Sequence, residues 1–154
     1  MTSRPRLRRD ESGNAILEFV FVALLCFIPM VYLVVAVESV TESMAAVTQS
    51  ARDAGRAFAT AESSESGAQR ARVAVRLTMT DHGLPDDAEV KFVALETDCA
   101  SAAVAPALVA GARYRVCVTR RALIPAIPAF AQGHGVVTQG QFDLYLDDYL
   151  VPKT

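Results

Sequence analysis

The stretch ILEFVFVALLCFIPMVYLVVAV, Ile16 to Val37, decides how the rest of the chain is read. From Phe19 onward it runs nineteen residues without a charge, and Glu18 is its only Asp, Glu, Lys or Arg. At about 1.5 Å per residue, with the turn beginning at Ala15 added, the run matches a hydrocarbon core of roughly 30 Å. It is too long and too evenly apolar for the surface helix of a soluble domain. The sequence therefore predicts one membrane-spanning helix over residues 14–37. Pro29 near its middle is tolerated in such helices, where neighbouring groups re-satisfy the freed backbone.

The flanks orient the run. Arg4, Arg6, Arg8 and Arg9 precede it, answered only by Asp10 and Glu11, whereas Glu38 and Glu42 follow it and the next basic residue is Arg52. The positive-inside rule then places residues 1–13 in the cytoplasm and everything beyond Val37 outside, in a single pass through the cytoplasmic membrane. A cleaved secretory signal is the competing reading, with Val34-Val35-Ala36 a passable cleavage site, although the apolar core exceeds the usual length of about 7–15 residues. A lipoprotein anchor fits less well, because Leu25 before Cys26 is too large. Cys26 reads as a small apolar helix residue. The net charge of −2 over 154 residues points to no nucleic-acid partner.

Beyond Val37 the chain turns polar but keeps a helical rhythm. Val37, Val40, Met44, Val47, Ala51, Ala54 and Phe58 succeed one another at alternating steps of three and four, a stripe with polar residues opposite. A single helix from about Ala15 to Thr60 is expected, on the order of 65–70 Å long, with residues 38–60 as its protruding amphipathic half. The stripe packs either against this chain's own C-terminal domain or against neighbouring subunits. Ala61 to Gly67, AESSESG, reads as a connector.

Residues 68–154 read as a small extracytoplasmic α+β domain. Ala68 to Asp81 alternates like a strand in part, yet it ends in His82-Gly83 and Pro85, a helix stop, and is expected to be helical. Arg70, Arg72 and Arg76 line its solvated face. AEVKFVALE, ARYRVCVTR and GQFDLYLDDYL are strand candidates, the second with Tyr114, Val116 and Val118 facing away from Cys117. With no crossover helix between them, they predict an antiparallel sheet covered on one face by the long helix. Cys99 and Cys117 lie on the oxidising side. Bridging them would close 17 intervening residues and contribute roughly 3 kcal/mol, the alternative being two buried thiols. Ala122 to Gly135, ALIPAIPAFAQGHG, is too apolar for a casual loop. It packs as a flap on the sheet, or rests against lipid or a partner.

No catalytic constellation is apparent and no cofactor is expected. His82 falls in the helix stop and His134 between glycines, too few partners for a triad or a zinc site. Asp147 and Asp148 point to opposite faces of a strand, and GHGVVTQG lacks the context of a phosphate loop. The protein reads as a non-enzyme.

Glu18 remains to be explained, since a carboxylate deep in lipid costs roughly 2.5–3.5 kcal/mol on insertion scales. Cleavage after Gly13 would make Asn14 the first residue and Glu18 the fifth. That arrangement, a short basic leader ending in Gly, then an apolar helix with Glu fifth, resembles the type IV prepilin processing site. ILEFVFVALLCFIPMVYLVVAVESV, followed by SARDAGRAF at Ser50 to Phe58, is similar to the TadE/TadF family of pilin-like proteins. GARYRVCVTRRALIPAIPAF resembles their strand-plus-proline segment. The resemblance covers nearly the whole chain and is most specific from Gly13 to Phe58. The spacing of Pro29 and Glu38 from Glu18 differs from the commonest TadE pattern, so the resemblance does not separate the TadE type from TadF.

What it implies is a minor pseudopilin or assembly factor of a bacterial tight-adherence (Flp-type) pilus machine, with Gly13, Asn14, Glu18 and Phe19 as the processing and assembly site. The implied partners are the lipid bilayer, other pilus subunits, the membrane assembly platform and a prepilin peptidase. Glu18 would then pair with the Asn14 amine of an adjacent subunit, or else merely reach the cytoplasmic headgroups. The alternative function is a secreted or membrane-tethered binding domain unrelated to pili.

Overall fold

The computed structural model describes residues 12–123 and 135–147, which fall into two compact units meeting at Ala36 and Val37. The elements are α1 (Ser12–Ala59), α2 (Ser64–Asp81), β1 (Glu89–Ala94), β2 (Arg113–Ala122) and β3 (Val136–Tyr145). The first unit is the N-terminal part of α1. It is apolar on every side: Ile16, Leu17, Phe19, Phe21, Leu25 and Met30 each stand more than 60% exposed. Pro29 lies inside the helix without ending it.

The second unit is α+β. Its three strands form one antiparallel sheet in the order β1-β2-β3, with Val116 of the central strand registered against Phe92 on one side and Phe142 on the other. Side chains alternate across the pleat. Tyr114, Val116, Val118 and Arg120 share one face of β2 with Leu144, Phe142, Gly140 and Thr138 of β3. Against that face α1 buries Ala46, Val47, Ala51, Ala54 and Phe58, and α2 buries Ala71, Val75 and Met79 in the same core. Phe58 and Phe92 meet with ring centres 5.0 Å apart.

Helix and sheet approach closely where glycine lets them. A Cβ on Gly140 would run into the Val47 carbonyl on α1, and one on Gly55 would come within 2.6 Å of the Phe142 ring. The small residues of α1 are therefore a groove for the sheet. Of the heptad stripe, Val47, Ala51, Ala54 and Phe58 are buried, Val40 is half-buried, and Met44 is 52% exposed. Ser43, one position earlier, is the fully buried residue of that turn. A straight helix drifts from a 3.5-residue repeat, so a strict heptad pattern slides off the contact line.

Helix α2 begins at Ser64, so part of the stretch expected as connector belongs to it. Ser63 caps it, accepting from the Ser66 amide, and Ser66 returns the favour to the Ser63 amide. This capping box uses Ser where Glu or Gln is usual, which hides it from sequence reading. The helix stops as expected. Leu84 N–H donates to Met79 O and Gly83 N–H to Thr80 O, with Gly83 in the left-handed region at φ 66°. Its strand-like alternation is resolved by two stripes: Val75 and Met79 are buried, whereas Val73 and Leu77 are exposed.

Candidate functional site

Gly13 and Asn14 lie in the first turn of α1, and Glu18 follows Asn14 by four residues, one helical turn. Glu18 and Phe19 are both exposed, and Glu18 lines a shallow hollow on the helix surface with Leu17, Val20, Phe21 and Leu24. By length and composition α1 holds one candidate membrane span, a description that an anchor and a signal sequence both satisfy.

The domain is held by two polar devices that sequence reasoning missed. The first is inside. Arg120 points to the helix side of the sheet, its side chain 6% exposed. Its Nε donates to Asp87 Oδ1 at 2.6 Å and its Nη1 to Ser43 Oγ at 3.1 Å. Ser43 and Thr138 hydroxyls bond at 2.8 Å, and Thr138 Oγ1 donates to the Arg120 carbonyl at 3.2 Å. One proton arrangement serves all four bonds: Arg120 to Ser43, Ser43 to Thr138, Thr138 to the Arg120 carbonyl, and Arg120 to Asp87. Among the described residues no buried side-chain polar atom is left without a partner. The network ties α1, β2, β3 and the turn before β1 together. A signal existed: Arg120 is in phase with Val116 and Val118, so alternation alone would have turned it inward.

The second device lies on the opposite sheet face. Arg115 and Asp143, directly registered, form a two-pronged pair at 2.7 and 3.1 Å, and Arg115 Nη1 also donates to Thr97 O at 2.8 Å. The Arg115 hydrogen bond holds the Asp143 carboxyl below its ordinary range, and Asp143 raises the Arg115 guanidinium in turn. Beside them Cys99 and Cys117 are joined in a disulfide, with Cα atoms 5.7 Å apart, in a small cluster with Val93. The bridge pins the β1–β2 connection to the centre of the sheet. Cys26, by contrast, is free and exposed on α1.

Of the residues considered for chemistry, His82 has a structural place. His82 closes α2, and its Nε2–H donates to Gln49 Oε1 at 3.3 Å. Among the described residues no three of His, Cys, Asp and Glu are grouped to hold a metal. His134, Asp148 and most of the apolar segment 122–135 lie outside the described residues. The surface hollows are open. One groove between α1 and α2 is lined by Thr60, Ser66, Gln69 and Arg70 beside Ala57, Val73 and Ala74, and Arg70 Nη1 donates to the Thr60 carbonyl at 3.3 Å.

No family model, curated protein or solved structure matches the chain.

Proposed function

We propose that the protein is a membrane-anchored structural subunit, a minor pseudopilin or assembly factor of the TadE/TadF kind in a tight-adherence pilus machine. One observation carries the reading. The helix α1 runs without a break from Ser12 to Ala59, and its two parts have opposite surfaces. The first is apolar all round, with a lone carboxylate one turn after Asn14; the second forms the wall of a folded domain. A helix that is hydrophobic all round is stable only when buried in protein or lipid, and this part is not buried in its own chain. Lipid, and in an assembly the equivalent helices of neighbouring subunits, supply that burial. Glu18 is then the residue that fixes register, paired with the Asn14 amine of an adjacent subunit so that no charge is left alone in lipid. Arg4 to Arg9 keep the leader in the cytoplasm, and the domain beyond Val37 faces outward.

The test is the N-terminal residue and intact mass of the membrane-fraction protein, expressed with its cognate prepilin peptidase. Asn14 as first residue supports the processing site. An uncut membrane protein removes processing and leaves a bitopic assembly factor. A soluble exported chain beginning at Val37 overturns the reading. That last outcome belongs to the second reading, a secreted binding domain, and one observation favours it: the compact unit begins at Val37, directly after Val34-Val35-Ala36.

A further inference from the structure

We infer that the domain beyond Val37 stacks head to tail on a second copy of itself. The acidic segment 38–45 of α1 in one copy seats on the arginine-edged groove between α1 and α2 of the next. The contact deepens the proposed assembly role and rests on it for one thing, that the copies run in the same direction.

Charge on the outer side of α1 is sorted by position. Glu38, Glu42, Ala45, Gln49, Arg52 and Arg56 succeed one another at steps of four and three, and all are exposed. They form one stripe on the side of the helix opposite the buried Val47, Ala54 and Phe58. Both acids stand at its start and both bases at its end. Like charges four residues apart repel, so Glu38 with Glu42 and Arg52 with Arg56 weaken the helix where alternation would have supported it. The negative end of the helix dipole accounts for Arg56 in the last turn and for none of the other three. Among the described residues none of the four has an ion-pair partner. Glu38 to Arg52 and Glu42 to Arg56 are the same interval of fourteen residues. That interval is about four turns, or about 21 Å along the axis. A second copy displaced by this step sets Glu38 against Arg52 and Glu42 against Arg56, whereas copies at equal height set like against like.

Shape follows the same division. Helix α2 returns antiparallel to α1, with Arg70 bonded to Thr60, Thr78 to Asp53 and His82 to Gln49. It ends level with Gln49, so segment 38–45 has no α2 beside it and is one helix wide, with Met44 and Ala45 exposed between the acids. From Gln49 onward the two helices form the groove described above. Its floor is Ala57 and Ala74, its apolar wall is Val73, and Leu77 continues that wall one turn on. Arg52 and Arg56 stand on the α1 rim and Arg70 on the α2 rim. The acids on this side are Asp53, half-buried and accepting from the Thr78 hydroxyl, and Asp81, which leaves base in excess. A groove between two packed helices takes a third helix by its ridge, and the four-turn step brings Ala45 of the incoming copy level with Val73. Because the acidic segment and its groove lie at different heights, the contact is heterologous and repeats without closing.

The experiment uses the full chain with Cys26→Ala in detergent, which imposes no common depth on the copies. One preparation carries Val73→Cys; the other, tagged to differ in mass, carries Ala45→Cys or Val37→Cys. They are mixed and oxidised, and the linked heterodimer is read by intact mass. The expected result is a 45–73 link without a 37–73 link, its yield falling about fivefold from about 50 to about 500 mM salt. Arg52→Glu with Arg56→Glu in the Val73→Cys copy should lower the yield as far, and Glu38→Arg with Glu42→Arg in the Ala45→Cys copy should restore it. Thermal melts of all variants should stay unchanged, since every altered side chain is exposed. A 37–73 link in place of 45–73 marks an antiparallel pair, Glu38 against Arg56 and Glu42 against Arg52, and overturns the stacking. So does a yield indifferent to charge reversal, or no link at either position. An exported soluble chain beginning at Val37 overturns the assembly role whichever pair links, whereas a membrane-anchored chain without the 45–73 link overturns the stacking alone.

Discussion

Arg120 shows what one inward-facing residue can decide. Its guanidinium is nearly sealed from water and is neutralised by Asp87, which keeps contact with solvent. Asp87→Ala strands that charge and is expected to cost about 2–4 kcal/mol in urea unfolding, somewhat less than the roughly 3–5 kcal/mol of a fully buried pair. Adding Arg120→Met to Asp87→Ala should recover part of the loss, because the charge goes with its partner; a double variant no more stable than Asp87→Ala would show that Arg120 matters for packing alone. On the other face, Asp143 has its pKa lowered by Arg115. Its contribution is therefore complete above the unfolded-state value of about 3.9 and is lost as pH falls through the lower folded-state value. Asp143→Asn should flatten stability against pH below about 4 and leave the neutral-pH slope alone, as read by thermal melts across an acid series.

At the scale of elements, the fit of α1 to the sheet depends on absent side chains. Gly140→Ala pushes a methyl group into the Val47 backbone and is expected to destabilise the domain by about 1–3 kcal/mol, measured by denaturant unfolding. The α+β class, the antiparallel sheet, the two-faced alternation of β2 and the glycine stop of α2 were legible because each rests on a local period or turn rule. The disulfide was legible from the spacing of the two cysteines and from the outside location the sequence led us to expect. What was not legible is tertiary. Ser43 rather than Met44 faces the sheet because the helix drifts off its heptad. The start of α2 was hidden by a Ser in the reciprocal capping position. The buried Arg120 network joins residues 77 positions apart, and no local pattern names both ends. Of the candidate assembly site, the spacing of Gly13, Asn14 and Glu18 is a sequence feature; the structure adds that all three share one helix.

For the molecule as a whole, the proposed role makes Glu18 dispensable for the fold and needed for assembly. Glu18→Ala should leave membrane insertion and domain stability unchanged while reducing crosslinking between subunits in the membrane severalfold. Crosslinking at the wild-type level would demote the carboxylate to a shallow interfacial charge.

The Cys99–Cys117 bridge also sets an order of events. By the proposed orientation the chain is made in a compartment that keeps thiols reduced, and its domain matures in one that does not. Before export the sheet lacks a crosslink worth about 3 kcal/mol for a closure of this size, a large share of what a small domain has in reserve. The newly made chain is thus easier to thread across the membrane than the finished one, and oxidation on the far side acts as a ratchet against its return. Melts with and without reductant should differ by that amount, with the Cys117→Ser variant following the reduced curve in both.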